Sequence, residues 1–247
     1  WKNAQSLQYI GNSYPLYLAY SPSLKIIAGY TMYKGYYSYD GYTWYNTSYP
    51  TSFPPSFTSV CWADSLNLFV AVTGTTNLMT SSDGINWTSR TPLNSNNWTS
   101  ICWSPELSLL VAVSSSGSGN RVMTSTDGIN WTSRTSAVDN NWTSVCWSAY
   151  LSLFVAVSNT GTTNRVMTSS NGINWTSYIC PYGLWYSIQW ISSLNIFIAV
   201  GQHTNTNTII YSSNGLYWNV IQNTFYDKQY RSFDWSSSLG IFVLGSI

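Results

Sequence analysis

The sequence predicts an all-β fold: a six-bladed β-propeller of four-stranded antiparallel blades, closed by N- and C-terminal strands that share one blade. Three observations lead there. A turn of the form S-x-[DN]-G-x-x-W occurs five times, ending at Trp44, Trp87, Trp131, Trp175 and Trp218, and its third residues lie 43 or 44 apart. A second block, Ser59 to Val72, returns as Ser100 to Val113, Ser144 to Val157 and Ser187 to Val200, with weaker copies at Leu18 to Tyr30 and Ser232 to Gly245. Finally, no stretch carries an apolar stripe of period 3.6 long enough for a helix. A fixed period of this size is the mark of a repeat architecture.

Each module contains four short apolar runs. In the third module they are Ser-Ile-Cys-Trp, Leu-Leu-Val-Ala-Val, Arg-Val-Met-Thr-Ser and Trp-Thr-Ser-Arg-Thr. Runs rich in Val, Ile, Trp and Thr between Ser, Asn, Gly and Pro are strand signals. Four such strands in about 40 to 45 residues match one propeller blade. The expected blades cover residues 14–50, 57–92, 98–136, 142–180 and 185–222, with 230–247 and 1–10 sharing a sixth, all in a single domain. That last blade has the first two strands at its C-terminal part and a fourth beginning at Trp1, with no evident third. Sharing a blade hides end strands that would otherwise pair with other chains. All 14 tryptophans fall on repeat positions, as expected of rings that fill the wedges between blades.

Composition narrows the function. In 247 residues only 7% are charged and the formal net charge is +1, so the basic footprint of a nucleic-acid binder is missing. No apolar run approaches the roughly 18 residues of a membrane span, and no signal peptide is evident. A surface of hydroxyl, amide and aromatic groups suits an extracellular or particle-surface protein that touches neutral polymers. Six Asn-x-Ser/Thr sequons occur, five of them with Trp in the middle and tied to the repeat, which points to turn chemistry.

Cys61, Cys102 and Cys146 occupy one equivalent position in three successive first strands, where Ala19, Gln189 and Asp234 stand in the other modules. Neighbouring blades should hold them too far apart for a disulfide, so they are expected to be buried and reduced. Cys180, beside Pro181, is expected to be the reactive thiol. The single His203 has no nearby ligand partner, so neither a metal nor a cofactor is expected.

The S-x-[DN]-G-x-x-W turns resemble the Asp-box (BNR) repeats of sialidase-like propellers, over about five-sixths of the chain. Runs such as Asn130-Trp-Thr-Ser-Arg-Thr135 are also similar to uncharacterised propeller proteins of large viruses and bacteria. The resemblance implies that the turn joins the third and fourth strands at a blade's outer edge. It also implies that Asp40, Asp83, Asp127, Asn171 and Asn214 are structural, with Gly in a conformation other residues resist.

Sialidase chemistry, as the resemblance defines it, needs three arginines on a carboxylate, a Tyr nucleophile with a Glu partner and an Asp acid/base. Arginine suits that clamp because it makes paired charge-assisted bonds. Here Arg90 pairs by repeat with Arg134, and Arg121 with Arg165, which leaves Arg231 unmatched; the family's Phe-Arg-Ile-Pro motif is absent. Glu106 is the only glutamate, and Asp64, Asp139, Asp227 and Asp234 show no pairing of the glycosidase kind. No catalytic residue is assigned and no enzyme activity is expected, with a glycoside hydrolase as the less favoured alternative. Two classes remain: a module that binds a glycan or a protein partner, and a structural or assembly protein of a virion or secreted layer that associates with itself. For binding, the expected residues are Phe57, Trp98, Trp142, Trp185 and Tyr230, which precede the first-strand aromatics by five, together with Asn97 and Asn141. Rings beside amides would suit a sugar, gathered on one face around a central channel.

Overall fold

The computed structural model describes residues 17–31, 34–48, 56–74, 77–91, 93–202, 208–221 and 229–246. Short runs of β-branched and aromatic residues broken by polar turns form antiparallel sheets one after another along the chain. The first sheet is β1 (Tyr17–Ser21), β2 (Ile26–Tyr30), β3 (Gly35–Ser38) and β4 (Tyr45–Asn46). The second is β5 (Phe57–Ala63), β6 (Leu68–Thr73), β7 (Leu78–Ser81) and β8 (Thr88–Arg90). The third is β9 (Trp98–Ser104), β10 (Leu109–Ser114), β11 (Val122–Ser125) and β12 (Thr132–Arg134). The fourth is β13 (Trp142–Ser148), β14 (Leu153–Ser158), β15 (Val166–Ser169) and β16 (Thr176–Tyr178). The fifth is β17 (Leu184–Ile191), β18 (Ile196–Gln202), β19 (Ile209–Ser212) and β20 (Asn219–Val220). The sixth is two-stranded, β21 (Tyr230–Ser236) with β22 (Ile241–Ser246). Residues 1–10, expected to share this last sheet, lie outside the described residues.

First strands of successive sheets contact one another from β1 through β5, β9, β13 and β17 to β21, so each sheet stacks on the next through its innermost strand. The core is a series of seams between sheets. In one seam, Val70, Val72 and Leu78 of the second sheet meet Trp98, Ile101, Leu110, Ala112 and Met123 of the third. The same pattern places Val111, Val113 and Val122 against Trp142, Val145, Phe154 and Met167 one sheet later.

The S-x-[DN]-G-x-x-W turns share their Ser and Asp or Asn bonds, and four of the five also bond the tryptophan indole to the glycine carbonyl. In the third sheet Ser125 Oγ donates to Asp127 Oδ1, which also accepts from the amides of Ile129 and Asn130 at 2.8 and 2.7 Å. Trp131 Nε1 then donates to the Gly128 carbonyl at 3.3 Å. Gly128 has φ +71°, and a Cβ there would stand 2.9 Å from Leu68 of the preceding sheet, so both conformation and space demand glycine. Asn171 and Asn214 make the same amide contacts as the aspartates.

Candidate functional site

The innermost strands are joined by side chains as well as by packing. Thr58 Oγ1 donates to the Trp98 carbonyl at 2.6 Å, Thr99 Oγ1 to that of Trp142 at 2.6 Å, and Thr143 Oγ1 to that of Trp185 at 2.8 Å. In the opposite sense the amides of Ile101, Val145 and Ile188 donate to Ser59, Ser100 and Ser144 Oγ. This ladder changes character at the fifth sheet. Tyr186 stands at the threonine position and lies 3.6 Å beneath the Arg231 guanidinium, while Gln189 Nε2 donates to the Phe233 carbonyl at 2.7 Å.

Where the ladder changes, a cavity of about 490 Å³ opens. Tyr17 and Leu18 of β1 and Ser59 and Val60 of β5 form one side; Gln189 and the stretch Ser232 to Asp234 form the other, with Val243 and Gly245 of β22. The volume lies within the roughly 300–1,000 Å³ of small-molecule sites. Its polar atoms are neutral apart from Asp234, whose Oδ1 accepts from the Trp235 amide at 2.9 Å. Leu18 and Val243 on its walls are 51% and 63% exposed, whereas Val60, Ile101 and Val145, the counterparts of Leu18 in the next three sheets, are buried.

No family model matches the chain, and no curated protein matches it. Solved structures do. A catalytically inactive virginiamycin B lyase from Staphylococcus aureus, with quinupristin, superposes with TM-score 0.74 at 9% identity, over 89% of this chain and 73% of that one. YCF48 bound to D1 peptide gives TM-score 0.62 at 13% identity, over 88% of this chain and 70% of that one. An ancestral GH74 enzyme gives TM-score 0.66 at 18% identity, over 85% of this chain but only 31% of its own length. All three are β-propellers, and the sheets described above match their blades. The fold is a β-propeller.

The blades hold most ionisable side chains in structural bonds. Asp64 Oδ1 accepts from Trp103 Nε1 of the next blade at 2.6 Å, and Glu106 Oε2 from Trp147 Nε1 at 2.7 Å. Asp139 accepts the Gly119 amide on both oxygens and lies 3.6 Å from Arg121. Arg90 and Arg134 donate to Thr80 and Thr124 on their own blades, each at 3.0 Å. Arg165, buried, donates to the carbonyls of Gly161 and Gly183 and sits 4.3 Å over the Tyr182 ring. Asp227 and His203 lie outside the described residues. Among those described, no group of three or more His, Cys, Asp or Glu could hold a metal ion.

The expected aromatic site is corrected by the structure. Trp98, Trp142 and Trp185 are 0% exposed, and Phe57 and Tyr230 are also buried, so none offers a ring face to a ligand. The cause is a bulge. Pairing skips Thr58, Thr99, Thr143, Tyr186 and Arg231, and the extra residue turns the preceding ring toward the preceding blade, onto the side of Ile101 rather than that of Cys102. Asn97 stays exposed, but its backbone amide is tied to Ser116 Oγ, and Asn141 Oδ1 accepts from Arg121 Nη1 at 3.1 Å.

The thiols also differ from expectation. All four cysteines are free, yet Cys61, Cys102 and Cys146 are half-buried, while Cys180 is only 6% exposed in the seam beside Trp185. Its amide donates to the Thr163 carbonyl at 3.0 Å, which draws the loop inward. Burial pushes every thiol up, Cys102 further because Cys146 and Cys61 lie near it. The polar lining of the cavity was signalled in the sequence by Gln189 and Asp234 standing where three blades carry cysteine.

Proposed function

We propose that the chain is a non-enzymatic binding propeller of the Asp-box kind that recognises a glycan or a protein partner. One observation carries the reading. Among the described residues, Asp64, Glu106, Asp139 and the arginines Arg90, Arg121, Arg134 and Arg165 are held by the scaffold, and the described cavity lining carries one carboxylate, Asp234, among neutral groups. Retaining and inverting glycosidases both work with a pair of carboxyl groups. The ligand enters the cavity between Tyr17 and Asp234, where Gln189 and Ser232 supply neutral hydrogen bonds. A chain with only 7% charged residues suits an extracellular or particle-surface setting. The lyase, peptide-bound and hydrolase neighbours belong to different functions, so the reading rests on the side chains. A glycan array probed with the purified chain tests it. Retention that weakens in Gln189→Ala and Asp234→Ala supports the reading, and release of sugar from arrayed glycans above the buffer rate overturns it.

A second reading, assembly into a virion or secreted layer, draws on β22. It pairs with β21 alone among the described residues, and Ile241, Phe242 and Val243 on it are 41%, 40% and 63% exposed. Native mass spectrometry separates the two, since assembly requires oligomers at micromolar concentration.

A further inference from the structure

We infer that the outer strands of the first blade form a binding corner for a neutral saccharide, separate from the cavity. The inference rests on the reading of the chain as a non-catalytic binding propeller. Tyr37 on β3 pairs in register with Tyr45 on β4, and their rings stack with centroids 5.3 Å apart and planes 27° apart. Tyr39 stands against Tyr37 at 5.8 Å and 83°. Tyr37 thus holds both other rings, Tyr45 stacked on it and Tyr39 edge-on. Tyr37 is half-buried and packs on the seam, while Tyr39 and Tyr45 are 61% and 48% exposed.

The repeat shows that these rings are not needed for folding. At the position of Tyr39 the other blades carry Ser82, Thr126, Ser170 and Ser213, and at that of Tyr45 they carry Thr88, Thr132, Thr176 and Asn219. Where the second blade has Thr80 holding the Arg90 guanidinium, the first has Tyr37 under Tyr45. Two large exposed rings where hydroxyl residues suffice leave apolar area in water that folding does not use.

The chemistry of the corner selects the occupant. A pyranose presents a face of C–H groups that lies flat on an aromatic floor, and its equatorial hydroxyls point sideways to polar groups. Here the phenol oxygens of the exposed Tyr39 and Tyr45 supply such polar groups. The one carboxylate in the turn, Asp40, is spent: Oδ1 accepts from Ser38 Oγ and the amides of Tyr42 and Thr43, and Oδ2 from Thr43 Oγ1. A neutral sugar therefore meets rings and uncharged donors rather than a free ion.

The test uses an array of neutral gluco-, xylo-, manno- and chito-oligosaccharides, followed by calorimetry with the one retained. Tyr39→Ala and Tyr45→Ala should each weaken binding about tenfold, the effect of losing one stacked ring. Tyr39→Phe should keep the affinity within about threefold, since it retains the ring face. Tyr217→Ala, removing a 76% exposed tyrosine of the fifth blade, should change nothing. Unaltered binding in both alanine variants, with loss in Asp234→Ala, would overturn the corner and leave the binding propeller standing. Retention of no neutral sugar would overturn the corner. So would a dimer, seen by native mass spectrometry, that Tyr39→Ala abolishes, because the occupant would then be a second copy.

Discussion

The Thr99 hydroxyl donates to the carbonyl of Trp142, 43 residues away, at 2.6 Å, and it is this bond, repeated from blade to blade, that sews the inner strands together. Thr99 is the bulged residue and Trp142 the buried ring of the next blade. The bulge in each blade thus points a hydroxyl across the seam to the next blade and turns a ring into the seam with the blade before.

Removing that hydroxyl measures the seam. Thr99→Val keeps the shape and leaves the Trp142 and Val113 carbonyls without this donor, at a cost of about 0.5–1.5 kcal/mol. Thermal unfolding should shift down by about 2–4 °C per kcal/mol for a chain of this size.

Trp98→Ala and Trp142→Ala should each cost roughly 3–5 kcal/mol in urea unfolding, as truncation of core aromatics does. Changes below 1 kcal/mol would mean that the rings do not carry the seams.

The turn aspartates give acid sensitivity of a defined sign. Amides of Thr43 and Tyr42 hold the Asp40 carboxyl at about 2, against an ordinary value of 3.8. Burial alone would raise the Asp127 carboxyl, but the bonds from Asn130, Ile129 and Ser125 outweigh it and also leave it at about 2. A lowered folded-state value stabilises the fold above 3.8, and that contribution fades as pH falls from 3.8 toward 2. The triple variant Asp40→Asn, Asp83→Asn, Asp127→Asn should melt within a few degrees of the parent at pH 7, because Asn171 and Asn214 already do this work. It should lose less stability than the parent between pH 4 and 2 in a thermal series.

Thiol labelling at pH 8 should be slow at all four cysteines in native protein, with Cys180 slowest, and reach four per chain in urea. Rapid native labelling of Cys180 would contradict its place in the seam.

The blade register was legible because the S-x-[DN]-G-x-x-W turn combines three demands, namely a hydrogen-bonding side chain, a glycine at positive φ and a covering tryptophan, which only a fixed motif meets. The strands around Val111 and Val155 followed from plain apolar runs. The direction of Trp98 was not legible: plain alternation along a strand would put it on the face of Ser100 and Cys102, whereas the bulge at Thr99 reverses it. A bulge leaves no sure sign in a single sequence, because Thr99 is an ordinary strand residue. The tyrosine corner was visible as a departure from the repeat, but stacking of Tyr37 on Tyr45 depends on cross-strand register.

Each blade presents one set of bonding groups to its successor and a different set to its predecessor. A blade gives its threonine hydroxyl to its successor and takes an indole N–H from it where an acidic side chain stands in the turn, so no blade can bond to a copy of itself face to face. Contacts of this head-to-tail kind close or propagate according to the rotation per unit. A tandem duplication of one whole module, placed between the third and fourth blades, would therefore meet a complementary neighbour on both sides. An added blade of this kind needs no new interface.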